Sequence, residues 1–218
     1  MAADRAEAAR PSGYRTTRME AFSDGVFAIA ITLLVLEIGV PDDSAADLLG
    51  AVVRQWPSYL TYLVSFSTIG AVWLEHTVIT EFLNRATAAL IRLNLLLLML
   101  VSFLPFPTRL LGDYMGESGA QRVAVTVYGI NLLLVSAVVS LMWRYAVWQR
   151  LIRTEVADAD VRLITKRLTP GLAGYAVFIG VGLFLPIVAV FGYLVIAVYF
   201  IVPIAALRGA RRASRLEE

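Results

Sequence analysis

Long apolar runs with few charges limit most strongly how this chain can fold. Four of them extend over 19–40, 56–80, 88–111 and 122–147, and are called spans 1 to 4. A membrane-spanning helix needs roughly 20 apolar residues, because each residue adds about 1.5 Å and the hydrocarbon core is about 30 Å thick. Each run is long enough for one such helix, so the sequence predicts an all-helical (all-α) integral membrane protein.

A fifth apolar run, over 171–204, is too long for one span. As a single helix it would measure about 51 Å, far more than the bilayer core. Pro186 and Gly192 predict a turn within it, which divides it into spans 5 and 6. The predicted plan is a cytoplasmic N-terminal segment at 1–17, a six-helix transmembrane domain at 18–207 and a basic cytoplasmic tail at 208–218.

The composition agrees with a membrane protein and excludes several kinds of site. Hydrophobic residues make up 59% of the chain and charged residues 17%, and the mean hydropathy is +0.73. An ordinary soluble domain is about half apolar and about a quarter charged. Because the chain has no cysteine and a single histidine, it offers neither a disulfide framework nor the usual ligands of a zinc site. We expect no cofactor and no structural metal.

Basic residues collect on one side of the six predicted spans. On that side lie Arg5, Arg10, Arg15, Arg85, Arg150, Arg153, Arg162, Lys166, Arg167, Arg208, Arg211, Arg212 and Arg215. The opposite side carries Asp42, Asp43 and Asp47, with only Arg54 nearby. Cytoplasmic loops of membrane proteins are enriched in Lys and Arg. We therefore predict a multi-pass protein of the cell membrane with both termini in the cytoplasm.

Span 1 carries a bulky stripe with a single hydroxyl in it. Residues three, four and seven apart share one face of a helix. The stripe consists of Phe22, Val26, Ile29, Thr32, Leu33 and Leu36. It could serve helix packing, lipid contact or the lining of a channel, and periodicity alone does not separate these. The Thr32 hydroxyl could also bond back to the carbonyl of Ala28, four residues earlier.

Asp24 lies near membrane depth at the start of span 1, and it faces away from the stripe. An ionisable residue there is costly, so it needs a structural partner or a functional use. Among other polar residues, Glu75 is predicted to reach the cytoplasmic interface and Asn131 to make an interhelical hydrogen bond. Glu37 lies at the outer end, where it could concentrate cations or simply be solvated. Pro105 and Pro107 predict a kink or an end in span 3.

The chain shares a distinctive set of residues with a known family. The set comprises Arg18, Phe22, Ser23 and Asp24 at the start of span 1, the Ile-Ala-Ile-Thr run at 29–32, Trp73 and His76 in span 2, Asn94 in span 3, and the segment 102–108. On these residues the chain resembles bacterial members of the transmembrane protein 175 family, relatives of the lysosomal potassium channel. The resemblance covers essentially the whole transmembrane region.

The resemblance implies a homotetramer in which span 1 of each subunit lines a central pore. Ile29 then matches the hydrophobic constriction, Thr32 the hydroxyl layer beyond it, and Leu33 and Leu36 apolar positions nearer the outer end. Permeant potassium would pass near Ile29 and Thr32. The chain has Ala28 where the vertebrate pattern has serine, which implies a weaker preference for potassium.

The resemblance also implies a polar network near the cytoplasmic end that fixes span 1 against spans 2 and 3. Its members would be Arg18, Phe22, Ser23, Asp24, Trp73, His76 and Asn94. Bonds to Arg, His or Trp would offset the cost of burying the Asp24 charge. Direct ion binding by these residues is the alternative.

Together these points predict a leak-like cation channel that prefers potassium. The usual potassium-filter sequence is absent, and no span has the spaced arginines of a voltage sensor. The expected partners are further copies of the chain, membrane lipid and monovalent cations, not nucleic acid.

Two other classes of function compete with a channel. The alternative is a secondary transporter, but the chain has no detectable internal repeat. An enzyme is not expected, because no Gly-x-Ser-x-Gly motif accompanies His76.

Overall fold

The computed structural model describes residues 14–39, 44–117 and 119–214, except for the side chains of 44, 45 and 203–214. Within these ranges the fold is all-helical, with two isolated backbone bridges. The helices are α1 (Thr16–Leu33), α2 (Leu48–Arg54), α3 (Trp56–Phe82), α4 (Ala88–Phe103), α5 (Pro105–Asp113), α6 (Ala120–Trp148), α7 (Asp158–Gly182) and α8 (Pro186–Ser214). Short 3-10 helices, Leu34–Glu37 and Ser44–Asp47, follow α1 and precede α2. Arg5, Arg10, Asp42, Asp43 and Arg215 and the side chains of the basic tail, which belong to the predicted topology, lie outside the described residues.

Four stretches are long and apolar enough to cross a membrane. They are Thr16–Glu37, Trp56–Phe82, Ala88–Asp113 and Ala120–Trp148, and a shorter apolar helix covers Pro186–Val202. These four stretches coincide with predicted spans 1 to 4. The chain is therefore a multi-pass, all-helical membrane protein.

Spans 5 and 6 differ from the prediction in their boundaries. The turn between α7 and α8 covers residues 183–185, so Pro186 begins α8 instead of opening a turn. A proline fits the first turn of a helix, where its missing N–H costs nothing. Gly192 lies inside α8, where a Cβ would overlap the ring of Phe178 on α7. The predicted division into two helices is present, but the turn lies just before Pro186 and not between Pro186 and Gly192, because Pro186 starts the helix and Gly192 allows its close packing.

Helix α7 is longer than the predicted span 5. It begins at Asp158 and continues through Pro170, so it starts well before residue 171, where the predicted fifth apolar run begins. Span 3 is interrupted as the prolines predict: α4 ends at Phe103, and Pro105 begins α5.

The loops meet at two opposite ends of the helical bundle. At one end, called the Tyr14 end, Tyr14 and Ala86 exchange backbone hydrogen bonds of 2.8 and 3.0 Å. There the Arg153 backbone N–H also donates to the Phe82 carbonyl over 2.9 Å. The other end, called the Glu37 end, contains the 3-10 helix after α1 and the start of α3. Several of the predicted cytoplasmic arginines therefore come together at the Tyr14 end.

The helices are not equally buried. In the most apolar window of α3 and of α6, 56% of the residues are buried, against 28% in the stretch that contains α1. Among the described residues, helix α1 packs against α3 and α4 on one side. The described part of the subunit therefore leaves a large surface of the first span uncovered.

Candidate functional site

The uncovered surface of α1 is the apolar stripe predicted from its periodicity. Most of its side chains are strongly exposed: Phe22 is 58% exposed, Ile29 60%, Leu33 39% and Leu36 73%. The opposite side of the helix is buried, with Phe27 at 3% exposure, Ala30 at 1% and Leu34 at 0%. Helix α1 thus attaches to its own subunit through one face and presents a second apolar face that none of the described residues covers. We call that second face the open face of α1.

Thr32 lies exposed next to Leu33 and the open face. Its hydroxyl donates to the Ile29 carbonyl over 2.9 Å, and not to the Ala28 carbonyl that was considered from the sequence. The chain tightens into a 3-10 helix directly after Leu33, which favours bonds three residues apart. The Thr32 oxygen keeps its capacity to accept a further hydrogen bond.

Three buried side chains link α1 to α3 and α4 near the Tyr14 end. The Asn94 Nδ2 donates to the Ser23 Oγ over 2.9 Å, and Ser23 in turn donates to the Met19 carbonyl over 2.8 Å. The Asn94 Oδ1 lies 2.9 Å from the His76 Nε2. Because the amide oxygen can only accept, the His76 Nε2 is the donor in this bond. All three side chains are almost completely buried.

Asp24 belongs to a second link between the same helices. The Trp73 Nε1 donates to an Asp24 carboxylate oxygen over 2.9 Å. The Phe27 ring packs on the His76 ring with centroids 5.5 Å apart, which joins this link to the buried one. Helix α1 is therefore held to α3 by an indole donor, by an aromatic contact and by the Asn94 bridge.

Five of the seven predicted network residues come together in this way: Ser23, Asp24, Trp73, His76 and Asn94. Phe22 and Arg18 do not join them. Phe22 lies on the open face, and Arg18 is exposed, with no ion pair or side-chain hydrogen bond within the described part of the chain. Of the partners expected for the Asp24 carboxylate, Arg, His or Trp, the structure therefore shows the Trp73 indole.

Glu75 differs from its predicted position. It is 9% exposed, and its Oε1 has no hydrogen-bond partner among the described residues. The prediction of an interfacial side chain was wrong because α8 packs along α3, and α7 begins earlier than expected and places Arg167 near the carboxylate. Arg167 donates its Nη2 to the Phe200 carbonyl and lies 5.6 Å above the Phe200 ring.

A second buried polar cluster was not foreseen from the sequence. The Ser65 hydroxyl on α3 lies 2.7 Å from the Thr108 hydroxyl on α5 and 2.9 Å from the Tyr128 hydroxyl on α6. Asn131 on α6 donates to the Leu100 carbonyl on α4 over 3.4 Å, an interhelical bond of the predicted kind. Single hydroxyls within apolar runs were the available signal, but their partners lie 43 and 63 residues away in sequence.

At the Glu37 end, a cavity of about 350 Å³ adjoins the open face of α1. It is lined by Leu33, Leu36, Glu37, Ser102, Phe103, Pro105, Phe106 and Arg109. The Arg109 Nε lies 3.9 Å from a Glu37 carboxylate oxygen and 3.4 Å from an Asp113 carboxylate oxygen. Charged groups thus border the end of the apolar stripe.

Comparison with known proteins identifies the family. Residues 18–105 match the family model for the endosomal/lysosomal potassium channel TMEM175. A potassium channel of Chamaesiphon minutus is 45% identical over 168 residues, which cover 74% of this chain and 82% of the relative. A potassium channel of Streptomyces collinus is 40% identical over 165 residues, covering 75% of this chain and 80% of the relative.

The vertebrate relatives are much longer than the aligned region. The endosomal/lysosomal proton channel TMEM175 of Gallus gallus is 34% identical, but the match covers 27% of its length and 60% of this chain. A crystal structure of a lysosomal potassium-selective channel TMEM175 homologue from Chamaesiphon minutus superimposes with a TM-score of 0.78 at 40% identity, covering 88% of this chain and 97% of the other. All these relatives are ion channels, which confirms the prediction that the chain is not an enzyme. The chain belongs to the TMEM175 family.

Proposed function

We propose that this protein is a potassium-preferring, leak-like cation channel in which four copies place the open face of α1 around a central pore. The observation that carries the proposal is the open face itself: an apolar stripe with Ile29 at 60% exposure on a helix whose other face is buried. Large exposed apolar faces mark contacts with lipid or with another subunit, and the similarity to channel proteins favours the pore for this face. The potassium preference is proposed from the relatives named potassium channels at 40–45% identity.

In this proposal Ile29 forms the hydrophobic constriction. A ring of four isoleucines excludes water, so ions pass only when the helices move apart enough to rehydrate it. Thr32 adds a ring of hydroxyl oxygens beyond it, and Leu33 and Leu36 continue the apolar lining. The permeant potassium ion passes near Ile29 and Thr32, and the protein needs no resident cofactor or metal.

The bonds of Ser23, Asp24, Trp73, His76 and Asn94 have a scaffold role in this mechanism. A rotation of α1 by one residue would turn Ile29 about 100° away from the axis. Bonds from α1 to both α3 and α4 resist such a rotation. The network therefore keeps the constriction aimed at the pore without contacting the ion.

We further propose that α7 and α8 complete a six-span subunit with both termini in the cytoplasm. The meeting of Arg15, Arg85, Arg150 and Arg153 with the loops of the Tyr14 end supports this orientation, since basic loops remain cytoplasmic. The exposed apolar sides of the outer helices then contact membrane lipid.

The test is ion flux from liposomes that contain the purified protein, with potassium compared with sodium. Wild type should show passive, non-saturating flux with a preference for potassium. Ile29→Asn should increase it markedly, because a polar ring no longer excludes water. Leu141→Asn is the matched control, since Leu141 is 50% exposed but lies on α6, and it should leave the flux unchanged.

Two results would contradict the proposal. Equal flux through the Ile29→Asn and Leu141→Asn variants would show that Ile29 does not form the constriction. Flux that saturates with substrate at a turnover-limited rate would identify a secondary transporter instead of a channel.

A further inference from the structure

Glu37 lies where the apolar stripe of α1 ends. It directly follows Leu36, and both residues line the same cavity of about 350 Å³. Its side chain is 22% exposed, so the carboxylate is held partly within the protein and still reaches the cavity. Under the proposed function, four such carboxylates surround one mouth of the pore.

Arg109 on α5 brings a positive charge to this carboxylate. The distance from its Nε to the Glu37 oxygen is 3.9 Å, which is a contact of charges and not a hydrogen bond. The same Nε makes a hydrogen bond of 3.4 Å with Asp113, one helical turn further along α5. One guanidinium is therefore shared between a carboxylate at the pore mouth and a carboxylate on its own helix.

The three side chains differ in their freedom to move. Arg109 is 67% exposed and Asp113 is 54% exposed, whereas Glu37 is mostly covered. The position of the arginine consequently decides how much of the Glu37 charge is cancelled. Among the described residues, Glu37 has no other ion pair.

We propose that Arg109 sets the cation concentration at this mouth of the pore by neutralising Glu37, and that Asp113 competes for the same guanidinium. The inference rests on the proposed function, because it requires α1 to line the pore. Carboxylates around a narrow opening raise the local concentration of cations, and adjacent guanidinium groups cancel this effect. Arg109 is thus a conductance-determining residue that does not contact the permeant ion in the constriction.

The proposal gives a distinct dependence on salt. At an ionic strength of about 10 mM, charges act over about 30 Å, whereas at about 1 M they act over about 3 Å. The charge at the mouth should therefore affect conductance at low salt and not at high salt. A change in the width or packing of the pore would persist at both.

The experiment measures unitary potassium conductance in planar bilayers, in symmetrical KCl of about 10 mM and about 1 M. Arg109→Gln should raise the low-salt conductance about twofold or more, with no change at high salt. Asp113→Asn should lower it, because the guanidinium then stays at Glu37. In a Glu37→Gln background, Arg109→Gln should have little effect, since no mouth carboxylate remains to be released.

Arg122→Gln is the matched control for loss of a positive charge at the same end. Arg122 is exposed near the start of α6 and makes no ion pair within the described part of the chain. An equal gain in Arg122→Gln, or a full gain from Arg109→Gln without Glu37, would overturn the proposal. An unchanged low-salt conductance in Arg109→Gln would overturn it as well. Absence of current in every variant, including Ile29→Asn, would instead contradict the proposed function on which the inference depends.

Discussion

The Trp73 indole N–H donates to a carboxylate oxygen of Asp24 over 2.9 Å and so joins α3 to α1. Asp24 makes no ion pair among the described residues. Its carboxylate is therefore bound by an uncharged donor, the indole N–H. A fixed indole dipole is directional, which suits a contact that holds a helix in one orientation. Its removal should therefore affect the orientation of α1 more than the stability of the fold.

Trp73→Phe tests this directional bond. The substitution keeps an aromatic ring but removes the donor, so we expect a loss of about 1 kcal/mol in stability. Thermal unfolding in detergent would measure the stability, and liposome flux would show a changed basal leak if α1 rotates. Trp148→Phe is the control, because Trp148 is 76% exposed and makes no side-chain hydrogen bond in the described chain. Equal effects of the two variants would contradict a special role for Trp73.

Asn94→Ala should destabilise the protein by about 2 to 4 kcal/mol, because the buried Ser23 and His76 side chains both lose a partner. Asn131→Ala is the comparison, since its single bond of 3.4 Å is long. We expect the unfolding temperature to fall clearly further for Asn94→Ala. Similar shifts for both variants would show that the Asn94 bridge adds nothing beyond an ordinary interhelical bond.

Gly192→Ala tests the close approach of α7 and α8. The added methyl group would overlap the Phe178 ring, and overpacking of this kind costs about 1 to 3 kcal/mol. Gly180→Ala on α7 has open space around its Cβ, so it should be neutral or stabilising. Unfolding temperatures of the two variants should move in opposite directions or differ clearly. An unaffected Gly192→Ala variant would mean that the ring moves aside at no cost.

Glu75 and Arg167 should behave as a coupled pair. Arg167→Gln removes the half-buried guanidinium near Glu75 and the bond to the Phe200 carbonyl, so it should lower the unfolding temperature. In a Glu75→Gln background the same change should cost less, with a coupling energy of about 0.5 to 3 kcal/mol. A double-mutant cycle of unfolding free energies measures this coupling. Additive effects would show that the two side chains do not interact.

The sequence predicted the spans well because their cause is local. A run of apolar residues must cross the bilayer as a helix, and spans 1 to 4 followed from length alone. The family resemblance predicted that Ser23 and Asp24 contact Trp73, His76 and Asn94. Their partners could not be derived from periodicity, since Ser23 and Asn94 are 71 residues apart in the chain.

Where prediction and structure differ, a tertiary contact determines the position of the residue. Pro186 and Gly192 are ordinary turn residues in isolation, but the packing of α7 against α8 uses one as a helix start and the other as a site of close approach. Glu75 carries a charge that suggests an exposed position, yet the early start of α7 brings Arg167 beside it. Such contacts form between elements that are far apart in sequence, so no local sequence pattern predicts them.

The two ends of α1 depend on different properties of the surrounding solution. The Ser23, Asn94 and His76 bonds lie inside the protein, where dissolved ions do not reach them. Arg109 and Asp113 at the Glu37 end are exposed, and salt screens their charges. Under the proposed function, a change in ionic strength at the Glu37 end therefore alters the electrostatics of that mouth of the pore but leaves the buried bonds at the Tyr14 end unchanged. Ion supply and this buried anchoring of the helix are thus separately adjustable within a single span.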